Sequence, residues 1–171
     1  MSESDQTIVN KVAQSKLVTI DLEDYYPIGK RMSIDIEAWL YEGLIVREKE
    51  FRATVAEHDW DRYQDAFVAL HCSSDAIVPG WAYMLLTTKL QAVARKIVQG
   101  DLQLLETVLY QEIIANMDVT QYKDRPVIIK GCSKKPVPPN AYLWLTAKLQ
   151  TVAKSIMYGE ACSSVPLFKR K

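Results

Sequence analysis

The chain has 171 residues, equal numbers of acidic and basic side chains, and hydrophobic residues at 49%. This is an ordinary globular composition, long enough for a core that folds unaided, and it excludes a broad basic face for nucleic acid or an acidic tail. No apolar run reaches the roughly 20 residues of a membrane helix. The polar start Met1-Ser2-Glu3-Ser4-Asp5 is unlike a signal peptide, and an odd number of cysteines fits reduced thiols in the cytoplasm.

In chain order, a lead-in over 1–57 offers a helix near Ile8–Ala13, a strand Leu17-Val18-Thr19-Ile20 and a turn at Pro27-Ile28-Gly29. Helices follow near Ile36–Tyr41 and over Glu48–Glu57. Ile20-Asp21-Leu22-Glu23 echoes Ile34-Asp35-Ile36-Glu37, and both aspartates read as helix-start residues. His58 lies in the polar turn His58-Asp59-Trp60-Asp61 and reads as exposed.

From there the chain repeats itself. The stretch Ala82–Asp101 aligns without gaps on Ala141–Glu160, 59 residues later, with eleven of twenty positions identical. The match extends upstream through Asp59, Tyr63 and Asp65 against Asp118, Tyr122 and Asp124, so the duplication covers about 58–101 and 117–160. We divide the chain accordingly into the lead-in, a first repeat over 58–116, and a second repeat with a C-terminal cysteine loop over 117–171. Each copy reads as an apolar, β-branched strand, then a loop, then an amphipathic helix. Tyr83, Leu86, Leu90, Val93 and Ile97 recur at spacings of three and four, as do Tyr142, Leu145, Leu149, Val152 and Ile156. Pro79 and Pro138 stand where the helices begin, with Asn140 as a cap. A short strand closes each unit at a glycine, and a helix from Leu102 to about Met117 joins the copies. Strand–helix–strand predicts a parallel pair with a right-handed crossover. The expected fold is therefore α/β: a single domain with an internal duplication and a partly parallel sheet flanked by helices. The final Phe168-Lys169-Arg170-Lys171 reads as a solvated tail.

All three cysteines share one signature. Cys72-Ser73, Cys132-Ser133 and Cys162-Ser163 each precede a Val-Pro pair, at Val78-Pro79, Val137-Pro138 and Val165-Pro166. Cys72 and Cys132 follow strands and precede helices, which places them on the C-terminal rim of a parallel sheet, where open α/β sheets bind ligands. Cys162 follows another strand and could reach the same rim. Helix N-termini favour thiolate, the form that binds soft metals or attacks electrophiles. His71 could supply a fourth ligand, although neighbours on a strand point to opposite faces. Asp75, Glu160 or water are other candidates. Three thiolates and one further ligand would suit zinc or an iron–sulfur species. Against this, a free cysteine is often a small buried apolar side chain.

The combination of Ile45–Arg52, His71–Tyr83, Lys130-Gly131-Cys132 and Ser155–Glu160 resembles a bacterial family of uncharacterised proteins, a domain of unknown function, over nearly the whole chain. The resemblance implies a link to Suf-type iron–sulfur assembly, with assembly proteins as partners. Three readings stay open. The first is an accessory protein holding a metal or iron–sulfur species through Cys72, Cys132, Cys162 and His71. The second is a non-enzymatic interaction module, a homodimer, with structural cysteines. The third is a thiol-dependent enzyme.

Overall fold

A computed structural model describes residues 17–131 and 134–171. The helix expected near Ile8–Ala13, and Cys132 with Ser133, lie outside the described residues. The described residues form two compact units: Pro27–Glu112, here the inserted unit, and an outer unit made of 17–26 together with those from Ile113 to Lys171.

The inserted unit is built on a three-stranded parallel sheet in the order β2-β3-β4, from β2 (Arg31–Asp35), β3 (Phe67–His71) and β4 (Lys96–Gln99). Phe67, Val68, Ala69 and Leu70 are all buried because both faces of the sheet are covered. Val68 and Leu70 join Ile34 against α1 (Glu48–Glu57) and α2 (Gly80–Leu90), which contribute Phe51 and Val55, and Ala82, Leu86 and Leu90. Phe67 and Ala69 pack on the opposite side with Val98 and with Leu105 and Leu109 of α3 (Leu102–Asn116). At the start of β2, Arg31 forms a largely buried ion pair with Glu106 of α3 at 2.7 Å, and its Nη1 donates to the carbonyls of Pro27 and Gly29.

The outer unit has sheet order β1-β5-β6-β7, from β1 (Val18–Ile20), β5 (Pro126–Ile129), β6 (Ser155–Glu160) and β7 (Ser163–Lys169). The first three strands are parallel, with Val18 in register with Val127 and Ile129 with Tyr158. Val127, Ile128 and Ile129 are buried, as are Ala141, Leu145 and Leu149 of α4 (Pro139–Gln150). Among the described residues no helix is long and apolar enough to cross a membrane.

Both units contain a strand with a 3-10 turn after it and then a strand–helix–strand run, with α1 interposed before β3 in the inserted unit, and the fold is α/β with partly parallel sheets. Local details coincide at positions 59 apart. Asp65 and Asp124 both hold a left-handed backbone, φ 55° and 54°, which aspartate tolerates better than most residues. Their N–H groups donate to Val93 and Val152 respectively.

Several local expectations need correction. The C-terminal residues are no tail: β7 pairs antiparallel with β6, and Arg170 beyond it binds Asp124. Pro166 lies inside this edge strand, a position where a missing N–H is tolerated and where it discourages further strand addition. The third cysteine loop is therefore a two-residue hairpin turn at Ala161-Cys162, and its Val-Pro pair is in a strand, not at a helix start. Ile36–Tyr41 forms only a 3-10 turn at Glu37–Trp39. Asn140 lies within α4, whose cap position is Pro138. His58 is half-buried and not exposed: its ring lies 4.9 Å from Trp39 and 4.7 Å from Trp60, and its Nε2 meets the Tyr63 hydroxyl at 2.9 Å. Trp60 turns inward because its indole N–H donates to the Val55 carbonyl.

Candidate functional site

Parallel strands bring the ends of β2 and β3 together, with Asp35 in register with His71. The echo of Ile20–Glu23 in Ile34–Glu37 marks this rim in both units. Asp21 is the cap of its 3-10 turn, as expected, and accepts from the Glu23 N–H, whereas Asp35 stands one place before the cap residue Ile36 and accepts from the Glu37 N–H. Each acidic pair also ties the first strand to the loop after the second. In the inserted unit, Ser73 donates its N–H to Asp35 and its hydroxyl to Glu37. In the outer unit, Lys130 reaches Asp21 at 2.6 Å, and the N–H groups of Lys134 and Lys135 both donate to Glu23.

Burial works to raise the carboxyls of Asp21 and Asp35, but hydrogen bonds outweigh it, from Lys130 and Glu23 in one case and Ser73 and Glu37 in the other. Both lie below the ordinary 3.8. The stability these groups confer is therefore present above pH 3.8 and lost as pH falls through their depressed values. Replacing Asp21 with Asn should flatten the acid limb of stability measured by urea unfolding across this range. An unchanged limb would show that the Lys130 tie contributes nothing.

Cys72 is half-buried, packs against the core, and meets the Ser74 hydroxyl at 3.3 Å. That hydroxyl donates its proton to the Gly43 carbonyl at 2.6 Å, so the thiol is the donor in the contact with Ser74. Burial, then the neighbouring Cys72 and Asp35, hold the Tyr83 hydroxyl above its usual range. Cys162 is exposed in the β6–β7 turn. Cys72 and His71 thus belong to the inserted unit and Cys162 to the outer one. Among the described residues no group of three or more His, Cys, Asp or Glu side chains is arranged to hold a metal ion.

The same rim carries an apolar groove. The Ser74–Gly43 bond sits beside a tight turn in which Tyr41 and Ile45 exchange backbone hydrogen bonds. The turn and the loop after β3 enclose a groove of about 370 Å³ lined by Leu44, Ile45, Val46, Ala76, Ile77 and Pro79, with Asp75 at its side. Leu44 and Ile45 are each 55% exposed and Ile77 93% exposed. The sequence signal was a run of apolar residues, Leu44-Ile45-Val46, in a segment too short and too polar at its flanks to be a core element.

The family model described as a protein of unknown function (DUF2480) matches residues 6–170. That description names no activity, cofactor or partner, and it carries no link to iron–sulfur assembly. No curated protein and no solved structure matches the chain.

Proposed function

The chain belongs to the DUF2480 family, and we propose from its geometry that it is a non-enzymatic interaction module that pairs with a second copy of itself through the groove face of the inserted unit. The observation that carries this reading is the joint exposure of Leu44, Ile45 and Ile77 around one groove. Contiguous apolar side chains left in water forgo roughly 25 cal/mol per Å² and mark interaction surfaces. Ile77 projects beside a recess, so the face offers a knob and a hole together. A two-fold axis would let each copy seat its Ile77 in the other's recess, which is what a self-complementary interface requires. A formal net charge of zero leaves identical copies little mutual repulsion. In this reading Cys72, half-buried, packed against the core and hydrogen-bonded to Ser74, serves as a small apolar side chain.

Sedimentation equilibrium over a wide concentration range tests the proposal. Wild type should sediment as a dimer, and Ile77→Asp should be monomeric with an unchanged far-UV spectrum. A wild type that stays monomeric at its highest soluble concentration sinks the reading. Metal content and the visible spectrum of anaerobically purified protein separate it from thiolate ligation. Stoichiometric metal, lost when the cysteines are replaced by alanine, would favour ligation over structural cysteines.

A further inference from the structure

We infer that the inserted unit carries a second site, a pocket for an oxyanion centred on Arg95. The pocket, about 300 Å³, is lined by Thr87, Gln91, Ala94, Arg95, Lys96 and Ile97 at the C-terminal end of α2 and the start of β4. Arg95 is fixed by two neighbours that do not neutralise it. Its Nη1 donates to the Ile28 carbonyl at 2.7 Å, and its guanidinium carbon lies 4.7 Å from the centre of the Phe67 ring. Among the described residues it has no carboxylate partner, whereas Lys96, which also lines the pocket, is matched with Glu112, and Arg31, which lies over the same Phe67 ring, with Glu106. A guanidinium has five N–H donors, and the Ile28 carbonyl engages one. The result is a pre-positioned, uncompensated fork, the geometry that binds carboxylate and phosphate groups in a bidentate manner. Gln91 adds an exposed amide donor, while the Thr87 hydroxyl proton is committed to the Tyr83 carbonyl.

The outer unit shows why this pocket belongs to one unit. There the residue 59 places after Arg95 is Lys154, and Arg170, following β7, donates its N–H to the Lys154 carbonyl and a guanidinium N–H to Thr151. The chain after the fourth strand crosses that corner. In the inserted unit the sheet stops at β4, and the corresponding corner is open. The ligand class is a small molecule presenting a phosphate or a carboxylate. The site does not depend on self-association through the groove.

Thermal unfolding in rising inorganic phosphate, and separately in rising acetate, tests this, with ionic strength held constant by sodium chloride. Wild type should gain Tm saturably with at least one of the two ions, and the one that saturates identifies the group. Gln91→Glu, a change at an exposed position, should abolish the gain by placing a carboxylate in the pocket. Arg95→Lys, which keeps the charge and loses the fork, should raise the half-saturating concentration at least about tenfold. No saturable gain with either ion, or a gain that survives in Gln91→Glu, overturns the proposal.

Discussion

Replacing Glu106 with alanine should destabilise the inserted unit by about 3–5 kcal/mol, the usual cost of removing one partner of a buried ion pair. Glu106 is 7% exposed, and the side chain of Arg31 is 14% exposed. The Pro27 and Gly29 carbonyls that Arg31 also holds supply acceptors but no negative charge. The truncation removes the carboxylate that faces this guanidinium, whose carbon lies 4.9 Å from the centre of the Phe67 ring. Glu106→Gln keeps an acceptor and should lose less. A double change to Met at position 31 and Leu at position 106 should recover most of the loss, since the pair's own desolvation cost disappears with it. Urea unfolding of the three variants separates these terms. A single-variant loss below about 1 kcal/mol would mean that water reaches Arg31 once the carboxylate is gone.

Much of the architecture was legible because it is written in local patterns. The three-and-four spacing of Leu86 and Leu90, and of Leu145 and Leu149, located both crossover helices, and each of these side chains is fully buried. The helices end sooner than the pattern suggested, at Leu90 and Gln150, because Val93 and Val152 instead accept the N–H groups of the left-handed aspartates. What local pattern cannot convey is partnership between distant strands. The first strand of the chain pairs with β5, and the strand after it pairs with β3, so the lead-in is shared between the two sheets. The echo of Ile20–Glu23 in Ile34–Glu37 was the visible trace of this. It read as two helix starts, which is correct as far as hydrogen bonding goes and silent about which sheet each joins. The last strand is hard to see in the sequence because Pro166 and a basic end resemble a tail.

The site was less legible than the fold. The strand–loop–helix order around Cys72 was legible, since Cys72 follows β3 of a parallel sheet and precedes α2. Yet the shared Cys-Ser and Val-Pro signature does not mean shared surroundings: Cys72 sits in a loop against the core, and Cys162 in an exposed hairpin turn. The apolar run Leu44-Ile45-Val46 is visible in the sequence, but its exposure, and that of Ile77, depends on what the rest of the fold leaves uncovered. The aromatic cluster failed for the same reason. Trp39, Trp60 and Trp81 look scattered along the chain, and Phe51 and His58 bring them together.

That cluster supports the second large prediction. Phe51→Ala should cost about 3–5 kcal/mol, the range for deleting a fully buried aromatic ring. Phe51 is 0% exposed and lies 5.9 Å from Trp39 and 5.8 Å from Trp81, ring centre to ring centre. The near-UV circular dichroism of both tryptophans should weaken while the far-UV signal stays, because α1 loses packing and not backbone bonds. The consequence should reach the groove. Trp39 ends the 3-10 turn that leads into the Tyr41–Ile45 bridge, and that bridge carries Leu44 and Ile45. With Phe51 gone, Trp39 keeps His58 and Trp60 as neighbours but loses its support from α1. Self-association should therefore weaken together with stability in Phe51→Ala, whereas Ile77→Asp should lose association alone. Phe51→Leu, which refills part of the volume, should recover both in parallel. Stability recovered without association would show that the turn bearing Leu44 and Ile45 is positioned by something other than Trp39.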